Sequence, residues 1–107
     1  MNSSQLVEGI ILHLGGESVL ARIGATGFIL QGGEVSFQLN HENPKGVHTV
    51  VISPQPGGRF GMKCFGRIAP GTLTMPLLGS AQEIIPENLA SVLGKLTGIE
   101  SIHHRHY

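Results

Sequence analysis

The alternation of apolar and polar residues in the first half of the chain predicts an antiparallel hairpin. Residues 34–40 alternate strictly, with Val35, Phe37 and Leu39 on one side and polar side chains on the other. Residues 28–31 form a shorter apolar run, and the turn that joins the two runs is Gly32-Gly33. We therefore expect two paired strands with one face buried and one face in water.

Residues 46–68, GVHTVVISPQPGGRFGMKCFGRI, are predicted to form the central hairpin of the sheet. Residues 47–52 are rich in β-branched side chains and apolar on both faces, which is typical of an interior strand. The segment 54–58, PQPGG, is predicted to end that strand as a surface turn. Proline cannot donate a hydrogen bond to the sheet, and neighbouring glycines allow positive φ.

The return strand, residues 59–68, is predicted to have two unlike faces, because successive side chains of a strand point to opposite sides. The core side carries Phe60, Met62, Cys64 and Ile68. The outer side carries Arg59, Lys63, Phe65 and Arg67. This outer row is where basic residues share a surface with an aromatic ring, so a binding site is expected there first.

Helices are predicted at both ends of the chain. Apolar residues recur at helical spacing in 2–14 and 17–23, and Pro86 suits the first position of a third helix that ends before Gly98. Its apolar stripe consists of Leu89, Val92, Leu93 and Leu96.

A last strand is expected at residues 72–78, where Pro76 restricts it to the edge of the sheet. The predicted fold class is therefore α+β. An antiparallel meander of four to five strands carries N-terminal helices and a C-terminal helix on one face.

Length and composition limit the functions that this chain can have. The 107 residues suit a single domain, 1–107, with residues 101–107 as a flexible tail. A net charge of zero argues against a general nucleic-acid or membrane-surface binder, since both depend on an excess of positive charge. Low charge and the edge at Pro76 leave apolar surface that a second copy could cover, so a homodimer or other homo-oligomer is among the expected assemblies.

The residue types in the chain give little support for a catalytic site or a metal site. The chain has no aspartate, and its single cysteine, Cys64, is expected in the core, where a packed thiol is more common than a nucleophile. His48 is expected to be a hydrogen-bonded histidine of an interior strand. The tail histidines His103, His104 and His106 are expected to bind metal only adventitiously, because a native site needs fixed geometry. We therefore expect no enzyme, no cofactor and no metal site.

Five segments carry a resemblance to known proteins. They are LARIGATGF (20–28), EVSFQL (34–39), KGVHTVVI (45–52), MKCFGRI (62–68) and LTGI (96–99). In this order they resemble a group of small bacteriophage and mobile-element proteins with a helix, antiparallel meander, helix layout. The shared positions are structural glycines and core residues, so the group supplies no catalytic residues to transfer. The resemblance implies an accessory protein of the bacterial cytoplasm that binds a host protein, such as a defence component.

The expected function is therefore non-enzymatic protein binding that modulates or inhibits a host component. This contact is expected at the sheet edge or at the hairpin tip, residues 54–58 with Gln55, Pro56 and Gly57, since exposed loops often carry binding residues. The alternative is a small anionic ligand such as a nucleotide, held by the basic outer row, or single-stranded nucleic acid, which the zero net charge disfavours.

Overall fold

The structure is a computed structural model that describes residues 3–99, with side chains from residue 5 onward. The predicted tail, residues 101–107, and its three histidines lie outside the described residues. Two helices come first, α1 (Ser3–His13) and α2 (Glu17–Arg22). A third helix, α3 (Leu89–Thr97), follows the sheet after a 3₁₀ turn at Pro86–Asn88.

Five strands lie between the helices in a single antiparallel sheet. They are β1 (Ala25–Gln31), β2 (Glu34–Leu39), β3 (Thr49–Gln55), β4 (Arg59–Phe65) and β5 (Leu77–Ile84). Their order in the sheet is the order in the chain, so β1 and β5 are its edges. The predicted α+β meander with helices at both ends is confirmed.

One face of the sheet forms the core together with the helices. Val35, Phe37 and Leu39 of β2 are buried as the alternation predicted, and the rings of Phe28 and Phe37 stack with centroids 4.7 Å apart. The helices contribute Ile10, Leu20, Leu89 and Leu93 to the same cluster, and Leu14 and Ile23 join it directly after α1 and α2. Burial of these side chains is the main force that holds the helices on the sheet.

Gly24 fixes the entry into β1. Its φ of +78° is a left-handed conformation that favours glycine, as is common directly after a helix. A Cβ atom there would lie 2.8 Å from the backbone nitrogen of His41. The Gly24 carbonyl accepts a hydrogen bond from Asn40 N–H at 2.8 Å, which ties the start of β1 to the end of β2.

The central hairpin differs from its prediction at the tip. Pro54 was expected in the turn, but β3 continues through Gln55, with Pro54 opposite Phe60 and Gln55 opposite Arg59. This is sterically acceptable because the pairing with β2 ends at Ile52. Beyond that point Pro54 has a strand on one side only, as proline requires. The tip itself is the 3₁₀ turn Pro56–Gly58.

The last strand was predicted too early in the chain. The segment 72–78 is mostly an exposed loop, and β5 begins only at Leu77, opposite Phe65. A strand needs a partner, and β4 ends at Phe65. Beyond it, Gly66 N–H still donates to the Pro76 carbonyl at 2.9 Å, but no strand lies opposite the residues before Pro76. Ile68 was expected in the core because the return strand was predicted to continue to residue 68. It lies beyond the end of β4 and is 58% exposed.

Candidate functional site

The sheet face opposite the helices, here called the open face, holds three of the predicted binding residues, Arg59, Lys63 and Phe65. Two rows of paired residues run across all five strands and define it. The first row is Thr26, Gln38, Thr49, Phe65 and Leu77, and the second is Ile29, Ser36, Val51, Lys63 and Ser80. Every one of these side chains is exposed or half-buried, whereas their neighbours Met62 and Cys64 are fully buried.

The outer row of β4 lies on the open face, as its period-two pattern predicted. Arg59 and Lys63 are exposed and Phe65 is half-buried. Within residues 3–99, neither of these two cations forms an ion pair or a side-chain hydrogen bond. Arg67 follows the end of β4 and is also exposed. The strand therefore presents positive charge and an aromatic ring to the same side of the molecule.

The spacing along β4 decides what kind of ligand this row can hold. With about 3.3 Å per residue, Arg59 and Lys63 are about 13 Å apart along the strand, and Arg59 and Phe65 about 20 Å. A single phosphate or carboxylate group is much smaller than these distances. Only an extended partner can therefore contact the whole row at once.

A depression of about 640 Å³ lies at the hairpin tip and collects the other predicted residues. It is lined by Gln55, Pro56, Gly57, Arg59, Gln82 and Glu83. The structure thus joins the predicted tip contacts to the start of the basic row.

The amide group of Gln55 is already engaged in the protein. Its Nε2 donates to Oε1 of Gln82, and its Oε1 accepts from Glu83 N–H at 2.8 Å. The side chain of Gln55 on β3 thus reaches across β4 to β5, and this contact forms one wall of the tip depression. This contact was missed from the sequence, since a glutamine pair 27 positions apart leaves no local signal.

Gly61 provides the space for that crossing. A Cβ atom on Gly61 would lie 2.9 Å from Nε2 of Gln55 and 3.3 Å from Oε1 of Gln82. A side chain at this β4 position would thus displace the two amide groups, so glycine favours the Gln55–Gln82 contact above it. We call this arrangement the glutamine bridge.

Arg67 and His48 line two further depressions at the opposite end of β4. One, of about 500 Å³, opens onto the open face and is also lined by Gln38, Thr49 and Met75. The other, of about 390 Å³, faces the loop that contains His41 and Glu42. The imidazole Nδ1 of His48 lies 3.2 Å from Oγ1 of Thr49.

Cys64 lies inside the core. Its side chain is fully buried, and burial raises the pKa of the thiol to about 12. A thiol in this state is not a nucleophile at neutral pH, since the thiolate is the reactive form.

The part of the chain that the structure describes contains neither a metal-binding cluster nor a membrane-spanning helix. Among residues 3–99, no three histidine, cysteine or glutamate side chains lie close enough to hold a metal ion. In that same part of the chain, no helix is long and apolar enough to cross a membrane.

Comparisons of the chain with protein-family models, with curated proteins and with solved structures found no match. The geometry of the open face is therefore the basis for inferring a function.

Proposed function

We propose that this protein is a non-enzymatic binding module that recognises a partner protein through the open face. The observation that carries the proposal is the uncovered sheet face on which Arg59, Lys63 and Phe65 lie in one row. A sheet that buries one side against helices and leaves exposed apolar and basic groups on the other is suited to a protein contact.

Charge indicates the chemistry of the partner. Glu34, at one end of the open face, accepts a hydrogen bond from Ser53 Oγ at 2.6 Å, whereas Arg59 and Lys63 are unengaged within residues 3–99. An acidic protein surface would complement these cations, and apolar groups on it would cover Phe65, Val51 and Ile29. Electrostatic complementarity of this kind sets the orientation and speeds the association.

The dimensions of the row favour a protein over a small anion. A nucleotide is long enough to contact Lys63 and Phe65, about 7 Å apart along the strand, but not Arg59 as well, about 20 Å from Phe65, so it would leave part of the row unused. Single-stranded nucleic acid is long enough, but it normally needs several aromatic side chains for stacking, and the outer row of β4 has Phe65 alone.

We extend the proposal to the biological setting that the resemblance implies. The partner is then a host protein of a bacterium, such as a defence component, and contact with the open face modulates or inhibits it. The site of action is the bacterial cytoplasm. Phe65, Lys63, Arg59 and Arg67 supply the contact, and the tip at Pro56 and Gly57 forms its border.

Affinity capture from a bacterial lysate with matched charge variants tests the proposal. The double variant Arg59→Gln/Lys63→Gln removes two positive charges from the open face. The control Arg22→Gln/Lys95→Gln removes two from the helix layer, where both residues are exposed. We expect the wild type and the control to retain the same specific protein and the open-face variant to lose at least about nine-tenths of it, because each lost charged contact weakens binding about tenfold.

Three outcomes of this experiment would contradict the proposal. The first is retention of the same proteins by both double variants. The second is tight binding of a single-stranded oligonucleotide that the open-face variant loses, which would favour the nucleic-acid alternative. The third is a nucleotide that raises the Tm of the wild type but not of the open-face variant, which would favour the small-anion alternative.

A further inference from the structure

The segment between β4 and β5 is exposed along its whole length. We call residues 67–78 the arm, and each of them is exposed. Within residues 3–99, five of the eight exposed large hydrophobic side chains lie on it: Ile68, Leu73, Met75, Leu77 and Leu78. Leu73 is 95% exposed. Such a concentration of apolar surface at one end of a small protein marks a contact with another molecule.

The arm leads directly into an edge of the sheet. β5 pairs with β4 on one side, and its other side is the end of the sheet. Proteins usually protect such an edge with lysine, with proline inside the strand, with an inward-pointing charge or with β-bulges. Residues 77–82 of β5, LLGSAQ, contain none of the first three. The pairing of β5 with β4 shifts register at two places, between Leu77 and Gly79 and between Ala81 and Ile84, and is regular at residues 79–81. The outer side of this regular stretch is the part of the edge that another strand can pair with.

Charge distinguishes the partner of this surface from the partner of the open face. Residues 68–82 include no charged side chain, which makes them a poor match for a charged partner. For the same reason, two copies can bring these residues together without placing like charges side by side. Every copy also carries the same edge, as a symmetric contact requires.

We propose that two copies of this protein associate through the arm and the β5 edge, with the two β5 strands antiparallel. The two sheets then become one sheet of ten strands across a twofold axis. The uncharged part of the arm and β5, residues 68–82, is 15 positions long, which is shorter than the roughly 20–30 residues that a standard interface uses on each side and indicates a small interface. The exposed leucines of the arm are then covered by those of the second copy.

This arrangement leaves the open face free. An antiparallel pair of edge strands in a continuous sheet is related by a twofold axis perpendicular to that sheet. Both open faces therefore lie on the same side of the dimer. A dimer of this kind presents two copies of the row Arg59, Lys63 and Phe65 to one partner, although the dimer does not depend on the open-face proposal.

The molecular mass of the full-length protein in solution, measured by light scattering during gel filtration, tests the dimer. We expect the wild type at micromolar concentration to have twice the monomer mass of 11.3 kDa. Leu73→Glu should raise the dimer Kd by about a hundredfold, because each of the two copies loses a buried leucine. Leu12→Glu is the matched control, since Leu12 is 72% exposed on α1, away from the arm, and should leave the dimer intact.

A far-UV circular dichroism spectrum separates the loss of association from the loss of folding. Leu73 is almost fully exposed, so Leu73→Glu should keep the wild-type spectrum and lose only the part of the Tm that association adds. A monomeric wild type would overturn the proposal, as would a dimer that Leu73→Glu leaves unchanged or Leu12→Glu dissociates. Arg59→Gln/Lys63→Gln should remain dimeric, which keeps this test independent of the open-face test.

Discussion

At the scale of single residues, Cys64 illustrates how position decides chemistry. The period-two pattern placed it on the core side of β4, and the structure buries it completely between Val50 and Gly79, its cross-strand neighbours. Because burial disfavours the thiolate, the thiol retains its proton in the folded state well above the pH at which it would lose it in the unfolded chain. The Cys64 thiol therefore makes the free energy of unfolding depend on pH in the alkaline range.

We expect the free energy of unfolding to fall as the pH rises above 9, the ordinary pKa of the thiol, until it reaches about 12. The unfolded chain releases the Cys64 proton in this range and the folded chain does not. The decrease should be about 1.4 kcal/mol per pH unit from this group. Urea unfolding of the wild type and of Cys64→Ala, from neutral pH to about pH 11, measures the difference in slope. Equal slopes in the two proteins would show that Cys64 is accessible to water.

The residue patterns also show what a sequence can predict of the site. Arg59, Lys63 and Phe65 were assigned to one face because side chains alternate along a strand, and this assignment holds within β4. Arg67 and Ile68 were assigned by the same rule, but they lie beyond the end of the strand, where the rule no longer applies. The limits of a strand depend on its partner, which the local pattern does not contain.

At the scale of elements, the glutamine bridge joins three strands at the hairpin tip. Gln55 on β3 crosses Gly61 on β4 to reach Gln82 and Glu83 on β5. Glu83 has a φ of +55°, unusual for a residue other than glycine. The hydrogen bond from its backbone N–H to Gln55 contributes to holding this irregular end of β5 in place.

A double-mutant cycle measures the coupling within the bridge. Gln55→Ala should destabilise the protein by about 1–3 kcal/mol, because the Glu83 N–H and the Gln82 side chain lose their partner. Gly61→Ala should cost a similar amount, about 1–3 kcal/mol, since its Cβ would meet the Gln55 amide. In the Gln55→Ala background the clash with the Gln55 amide is absent, so the second change should cost less than half as much. Additive effects would contradict this role of Gly61.

The sequence predicted the elements better than their ends. The helices and β2 were found because long apolar periods and helix-ending glycines are local signals. β5 was displaced by several residues, since the apolar side chains before it suggested a strand that the structure places in the arm. The small residues of β5, Gly79, Ser80 and Ala81, carry no strong strand preference, and pairing with β4 decides their conformation.

At the scale of the whole molecule, the protein has three surfaces of different character. The helix layer covers the core, the open face carries Arg59 and Lys63, and the arm with the β5 edge has no charge between residues 68 and 82. The net charge of the chain is zero, but its charged side chains are unevenly distributed over these surfaces. We assign the basic face to a partner protein and the uncharged edge to a second copy.

The central claim, that the open face is the recognition surface, is tested most directly by lysine footprinting of the captured complex. The chain has three lysines: Lys63 on the open face, Lys95 on α3 and Lys45 in the loop before β3. All three are exposed in the free protein and should be acetylated readily. Mass spectrometry gives the acetylation rate of each lysine with and without the partner.

We predict that the partner slows acetylation of Lys63 by about tenfold or more, because a lysine at a well-formed interface is shielded from solvent. Lys95 should react at the same rate in the free protein and in the complex. Protection of Lys95 with an unchanged rate at Lys63 would place the partner on the helix layer and contradict the account.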